Sequence, residues 1–384
     1  MTHVSSAVAP GTFPLYARYP ELEGRLPRLA LGKGPSPVLP LDRLSRRLGG
    51  PPLWIKNDGL YGGPYGGNKV RKLEFVLADA VRRRSRTIIT FGPTATNHGL
   101  ATALYARELG LRTVLLLVDQ PVDDHVRSQV WRLFQAGAVL HRTKTVLWTA
   151  VLAPLLALRY VDWRRGHPPY LLPTGGSSPL GAVGYVNAAL ELADQVAAGD
   201  LPEPDHIFVA LGSGGTAAGL LLGLRLAGLR SRLVAVRVSD LVPLTPKTVT
   251  HLANRTAALL RRRGAPLPPV RLRPADVTVL SGWLGDGYGH ATPEAERAQE
   301  LMRETDGLQL EGVYTAKTVA ALMDLVQAGR LGEGPVLYWH TFNALPLPPG
   351  PHEEEDPSRL PRAFRHLVTP RSRAEADEIG RAHV

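Results

Sequence analysis

Between about residues 35 and 345, short apolar runs alternate with stretches whose apolar residues recur at helical spacing. "LWIKND" (Leu53 to Asp58), "TIITFG" (Thr87 to Gly92) and "RTVLLLVD" read as strands. "RKLEFVLADAVRRR" (Arg71 to Arg84) reads as a helix with Leu73, Val76, Leu77 and Ala80 on one face. "HGLATALYARELG" reads as a helix that stops at Gly110, and "HVRSQVWRLFQAGA" as another. Further on, "HIFVALGSGGTAAGLLLGLRLAG" reads as strand, glycine turn and helix, with "RLVAVRVSD" as the next strand. Parallel neighbours need a long return path, which a helix supplies, so this alternation predicts an α/β fold with parallel sheets flanked by helices.

The two ends break the pattern. Residues 1–34 are rich in Pro and Gly and show no clear period, so they read as an N-terminal extension. From Leu345 the chain runs "LPLPPGPHEEEDPSRLPR", and residues 346–384 read as a C-terminal tail. A chain of 384 residues can bury a substantial core and predicts two lobes. The longest apolar run, "LLLGLRLAGL", is broken by Arg225, and the N-terminus lacks the basic-then-apolar design of a secretory signal. With no cysteine, disulfides, thiolate chemistry and Cys-ligated zinc are excluded, and no metal site is assigned. The expectation is a soluble cytoplasmic protein with no membrane partner. The net charge of +11 raises nucleic acid as a partner. Yet the clusters Arg82 to Arg86, Arg261 to Gly264 and Arg371 to Arg373 are not interleaved with aromatics and fit no nucleic-acid-binding motif. They read as solvated faces, so no nucleic acid is expected. The charge does favour small anionic ligands.

Lysine is scarce: the chain has seven, and two stand three apart in "YGGPYGGNKVRKLEF", straight after two glycine pairs. Lys69 ends a glycine loop and opens a helix, a poor place for a cation because the helix N-terminus is itself positive. Burial and the charges of Arg71 and Lys72 predict a lowered pKa for Lys69, as an amine nucleophile requires. Lys72 is expected to face solvent. "GSGGTAAG" (Gly212 to Gly219) follows a strand and opens a helix. Gly212, Ser213, Gly214, Gly215 and Thr216 could form a phosphate cup of backbone N–H groups, or only a tight turn. In "GPTATNHG", Thr96 and Asn97 could serve a ligand pocket, but from that segment alone a helix N-cap explains them better. "GYGHATPEA", "EGVYTAKT" and "VLYWHT" place aromatics on loops, where packing is the ordinary role. A reactive lysine and a phosphate cup together suggest pyridoxal 5'-phosphate (PLP), with Lys69 as the Schiff-base lysine.

These segments resemble the D-cysteine desulfhydrase and 1-aminocyclopropane-1-carboxylate deaminase family. Its members are two-domain, fold-type II PLP enzymes like the tryptophan synthase β-subunit. The likeness runs from about Pro35 to Thr341, and "GGNKVRKLEF" carries it most specifically. The resemblance implies that Lys69 binds PLP, Asn97 meets its ring hydroxyl and Gly212 to Thr216 hold its phosphate. It also implies that Tyr314 lies against the pyridine ring, Tyr288 reaches toward the substrate and Thr341 approaches the ring nitrogen. Thr96 stands where the family has a serine near the substrate carboxylate. The implied domains are a large one (35–74 and 181–345) and a small one (75–180), in a homodimer. Thr315 occupies the place of a glutamate in the deaminase branch, and Phe342 and Asn343 replace family glycines. The expected activity is α,β-elimination from an amino acid with a β-leaving group, giving a 2-oxo acid and ammonia. The alternatives are β-replacement, cyclopropane-ring deamination, and a non-catalytic basic binding protein.

Overall fold

The computed structural model describes residues 13–347 and 356–368. A short helix α1 (Pro14–Arg18) precedes β1 (Val38–Pro40), α2 (Asp42–Leu48) and β2 (Leu53–Asn57). The chain then passes through α3 (Asn68–Arg82), β3 (Thr87–Pro93), α4 (Asn97–Glu108), β4 (Arg112–Val118) and α5 (Asp124–Gln135). Next come β5 (Val139–Lys144), α6 (Val146–Arg159), β6 (Tyr170–Leu172) and the long α7 (Pro179–Ala198). The remainder runs β7 (His206–Leu211), α8 (Gly215–Ala227), β8 (Arg232–Arg237), α9 (Pro246–Arg262) and β9 (Val277–Leu280). It finishes with α10 (Pro293–Asp306), α11 (Thr315–Gln327), β10 (Val336–His340) and α12 (Arg362–Val368).

The strands form two sheets, of order β1-β2-β10-β7-β8-β9 and β5-β4-β3-β6. All pairings are parallel except β1 with β2. The predicted α/β architecture is the one found. The chain leaves the first sheet after β2, builds the second, and returns. Its last strand, β10, then inserts between β2 and β7. That insertion has a consequence for chemistry. The segments following β2, β10 and β7 emerge side by side at the carboxyl edge of one sheet, where open α/β sheets bind ligands.

Helix α3 differs from its one-faced expectation. From Val70 to Ala80 it is buried all round. Leu73, Val76 and Leu77 pack in the core of the second sheet, while Phe75 packs into the α7–α8 core of the first. Its charged residues Arg71 and Glu74 are paired inside. Arg71 donates to Asp58 at 2.8 Å and to Glu191 at 2.9 and 3.0 Å; Glu74 accepts from Arg28 at 2.8 and 3.0 Å. The ends are also packed. Leu15, Leu22 and Leu26 join the α7 core, and the Leu15 N–H donates to Asn187 Oδ1 at 2.9 Å. Leu360, Phe364 and Leu367 cover the second sheet's core. A five-residue helix and isolated leucines among prolines leave no period to read. Residues 369–384 lie outside the described residues.

Lys56, Asp58, Arg71 and Glu191 form a buried, charge-balanced cluster beneath the start of α3. Lys56 Nζ donates to Glu191 at 2.8 Å and to Gln195 Oε1 at 2.6 Å; Tyr185 and Trp339 donate to Asp58 at 2.6 and 2.8 Å. Burial alone would raise the Glu191 carboxyl, but Arg71 and Lys56 hold it far below its ordinary 4.5. Removing one member strands the others, at a cost of about 3–5 kcal/mol. Glu191→Ala is therefore expected to lower the denaturant midpoint by that equivalent. A carboxyl depressed in the fold contributes stability that is present above its unfolded value and lost as pH falls below it. The wild-type protein should thus lose stability progressively as pH drops below 4.5, and Glu191→Ala should flatten that dependence. A midpoint unchanged by the substitution would contradict the cluster's role.

Candidate active site

Lys69 occupies the first turn of α3, above the carboxyl edge of the first sheet. The glycine pair before it is tied down by its neighbours. Gly66 N–H donates to Asn343 Oδ1 at 2.5 Å, Gly67 N–H to Asp58 O at 2.9 Å, and Asn68 N–H to Thr341 O at 3.1 Å. The loop after β2 is thereby stitched to the loop after β10. Lys69 Nζ donates to Asn68 Oδ1 at 2.7 Å, and Asn68 Nδ2 donates to Thr216 Oγ1 at 3.1 Å. Asn68 thus links the lysine to the glycine turn after β7. Burial lowers the Lys69 amine to about 8, and the carboxyl of Glu311 works in the opposite direction. The expected lowering is present, and of its expected causes burial supplies it while the charges of Arg71 and Lys72 do not. Arg71 points into the ion cluster and takes no part.

Lys72 corrects another expectation. It does not face solvent: it is 2 % exposed and lines the same cavity. Its Nζ donates to Gly175 O at 3.1 Å, and no carboxylate pairs with it among the described residues. Burial, then Lys69, pushes its pKa well down. A buried cation without a counterion is costly unless an anion completes the site.

The glycine turn faces the two lysines. Gly214 is the N-cap of α8 at φ +88, in the left-handed region, and a Cβ on Gly212 would come within 2.6 Å of the Tyr314 ring. Ser213 Oγ lies 2.8 Å from Ser177 Oγ, and Gly215 N–H donates to Ser177 Oγ at 3.0 Å. Gly215's amide is therefore engaged. The adjacent first-turn amides of α8, such as that of Thr216, have no partner within the helix and lie at its positive end.

The other predicted residues gather here. Thr96 is the N-cap of α4, its Oγ1 accepting from Gly99 N–H at 3.1 Å, and it also lines the cavity. The two readings of this segment were not exclusive. Asn97 lines the cavity with its Oδ1 accepting from Gln129 Nε2 at 3.1 Å. Thr341 and Tyr314 line it as well. Tyr288 meets the site through Tyr314, their hydroxyls 2.8 Å apart. Burial raises both phenols, so both keep their protons at neutral pH.

Sequence reasoning assigned no role to Asn68, Ser177 or Glu311. The Glu311 carboxylate accepts from Val313 and Tyr314 N–H, each at 2.9 Å, and so holds Tyr314 at the start of α11. Burial raises its pKa, and those two amides offset part of the rise. An acid just before a helix start was a readable signal. Ser177 comes from a distant segment, and only the fold brings it to the cup.

Two buried amines of lowered pKa, one of them without a carboxylate partner among the described residues, and a glycine cup at a helix N-terminus suit a phosphorylated aldehyde. Residues 29–341 match the family described as pyridoxal-phosphate dependent enzyme, and the chain belongs to that family. It is a PLP-dependent enzyme, and the site's residues fit that cofactor. Among its relatives, a D-cysteine desulfhydrase of Klebsiella pneumoniae (strain 342) is 36 % identical over 327 residues, covering 84 % of this chain and 96 % of that one. One of Salmonella choleraesuis (strain SC-B67) is 35 % identical with the same coverage. A crystal structure of an ACC deaminase homologue superposes with a TM-score of 0.73 at 30 % identity, covering 87 % of this chain and 95 % of that one.

Proposed function

We propose that the protein is a lyase that eliminates the β-substituent of an amino acid such as D-cysteine, releasing a 2-oxo acid and ammonia. The observation that carries the cofactor site is the pair of buried lysines, one bonded to Asn68 and the other without a counterion, facing one glycine cup. The choice of reaction rests on the likeness to the D-cysteine desulfhydrases.

Lys69 would hold the cofactor. The turn Gly212 to Thr216, through amides not engaged by Ser177 such as that of Thr216, and the Lys72 amine would take its phosphate; Asn97 would meet its ring hydroxyl, Tyr314 its face and Thr341 its ring nitrogen. When bound, PLP supplies an electron sink for the carbon bearing the substrate amine. Lys69 Nζ would remove the α-proton; burial keeps it ready to act as a base near neutral pH. Tyr288 and Tyr314 retain their protons, so neither is available as a base near neutral pH. Their coupled hydroxyls would offer a hydrogen bond to the departing sulfur. Thr96 receives the substrate carboxylate at the start of α4.

Thr315 decides against ring-opening deamination. Its hydroxyl is spent on the Glu311 backbone, accepting from N–H at 2.6 Å and donating to O at 3.1 Å, and it carries no charge. Thr341 is neutral too, so neither can enforce a charged ring nitrogen. The test is a panel of D- and L-amino acids with β-leaving groups, assayed for 2-oxo acid beside 1-aminocyclopropane-1-carboxylate. Turnover of D-cysteine with little or none of the cyclopropane substrate is expected. Efficient opening of the cyclopropane would overturn the argument from Thr315.

A further inference from the structure

Lys317 lies in the first turn of α11, three residues after Tyr314, and is 0 % exposed. A helix start is itself positive and burial removes solvent, so both features disfavour a cation there. Its partners lie on another segment. The Nζ donates to Leu284 O at 2.7 Å and to Gly287 O at 3.4 Å. Burial lowers the amine, while the carboxylates of Glu311, Asp240 and Asp286 act in the opposite direction and favour the ammonium. Lys317 does not line the cavity, so the cofactor site leaves it unexplained.

Both carbonyls belong to the loop between β9 and α10, residues 281–292, which forms neither helix nor strand. Gly285, Gly287 and Gly289 sit there at φ +66, +131 and +85, in the left-handed region. Glycine gives up the most backbone freedom on folding, so such a loop keeps one shape only where side chains tie it. Trp283 Nε1 donates to Asp324 Oδ2 of α11 at 2.5 Å, and Tyr288 N–H donates to Asp240 Oδ1 at 3.2 Å. The Gly287 carbonyl and the Tyr288 N–H are two ends of one planar peptide group. Lys317 therefore holds one end and Asp240 the other. Tyr288 then meets Tyr314, their hydroxyls 2.8 Å apart and their rings at 73°. Tyr314 and Lys317, three apart, share one face of α11. That face thus meets Tyr288 at its hydroxyl and at its backbone.

We propose that Lys317 is a positioning residue: its ammonium holds the Gly287–Tyr288 peptide and thereby keeps the Tyr288 hydroxyl on Tyr314 at the edge of the cavity. Its part in the reaction rests on the elimination reading, in which the paired hydroxyls serve the departing group. Lys317→Met keeps an apolar stem and removes the cation. Two carbonyls then lose their donor, and the loop is free to carry Tyr288 away. Lys69, Lys72 and the glycine turn are untouched by the change, because none of them contacts Lys317 or its two carbonyl partners.

Amide hydrogen exchange of the PLP-loaded enzyme tests this without calling on the reaction. In Lys317→Met, exchange across 281–292 should speed roughly ten-fold or more, while α3 and α8 exchange as in wild type. In Lys317→Ala, ethylammonium should fill the vacated place and restore protection, whereas tetramethylammonium, which has no N–H, should not. This second variant serves if Lys317→Met fails to fold, and its readout is exchange in the loop, not turnover. Lys317→Met should also keep its cofactor absorption and lower kcat on D-cysteine roughly ten-fold with KM little changed, the size of one lost hydrogen bond. Because Lys317 acts through Tyr288, adding Lys317→Met to Tyr288→Phe should lower kcat little further. Unchanged loop exchange, protection lost equally along the whole chain, no rescue by ethylammonium, or losses that multiply in the double variant would each overturn the proposal. A loop that loosens as expected, in a protein inert toward D-cysteine, would support the tie and strike the elimination reading.

Discussion

Lys69→Ala is expected to abolish the visible absorption of the bound cofactor and to cut turnover by about 10³-fold or more, since both the covalent anchor and the base are lost. Lys72 supplies the internal comparison. Lys72→Ala should retain a lysine-linked, visible cofactor but bind it more weakly, because a buried cation facing the phosphate is gone. The pH dependence separates the lysines from ordinary ones. Only the neutral amine attacks an aldehyde, so the rate at which the apoenzyme recaptures PLP should rise with pH through about 8 and then level. An unperturbed lysine would keep climbing toward 10.5. A borohydride-trappable linkage surviving in Lys69→Ala would move the anchor elsewhere.

Gly214→Asp is expected to cost the cofactor its phosphate site. Gly214 is the N-cap of α8 at φ +88, and an added carboxylate would face the phosphate with a like charge. Such a juxtaposition costs several kcal/mol, which corresponds to an affinity loss on the order of 100-fold or more. Aspartate tolerates left-handed backbone better than most residues, so the apoenzyme should fold with unaltered circular dichroism. Gly214→Ala, which strains the backbone without adding charge, should weaken PLP binding far less. Equal affinity in Gly214→Asp and wild type would place the phosphate outside this turn.

The sheets were legible in the sequence because parallel strands buried on both faces read as short continuous apolar runs. Lys69 was legible because a cation at a helix start, behind glycines, conflicts with a purely structural role. Lys72 was misread for a specific reason. Its position on α3 looked like a solvated face, and only the packing of both sheets' cores around that helix turns the face inward. Arg71 and Glu74 are buried by the same packing, and their partners, Asp58, Glu191 and Arg28, lie 13, 120 and 46 residues away. Ser177 and Gln129 entered the site through contacts no local pattern encodes. The packing of residues 13–34 went unseen because three leucines among prolines carry no period.

The most direct test of the central claim is the product balance from D-cysteine with the PLP-loaded enzyme. Elimination consumes one water per D-cysteine and yields one pyruvate, one ammonia and one sulfide. The expected result is equimolar release of all three, unchanged when a second thiol is added. Formation of a thioether amino acid at the expense of pyruvate would contradict the account and make the enzyme a β-replacement synthase, and absence of turnover with D-cysteine would contradict it outright.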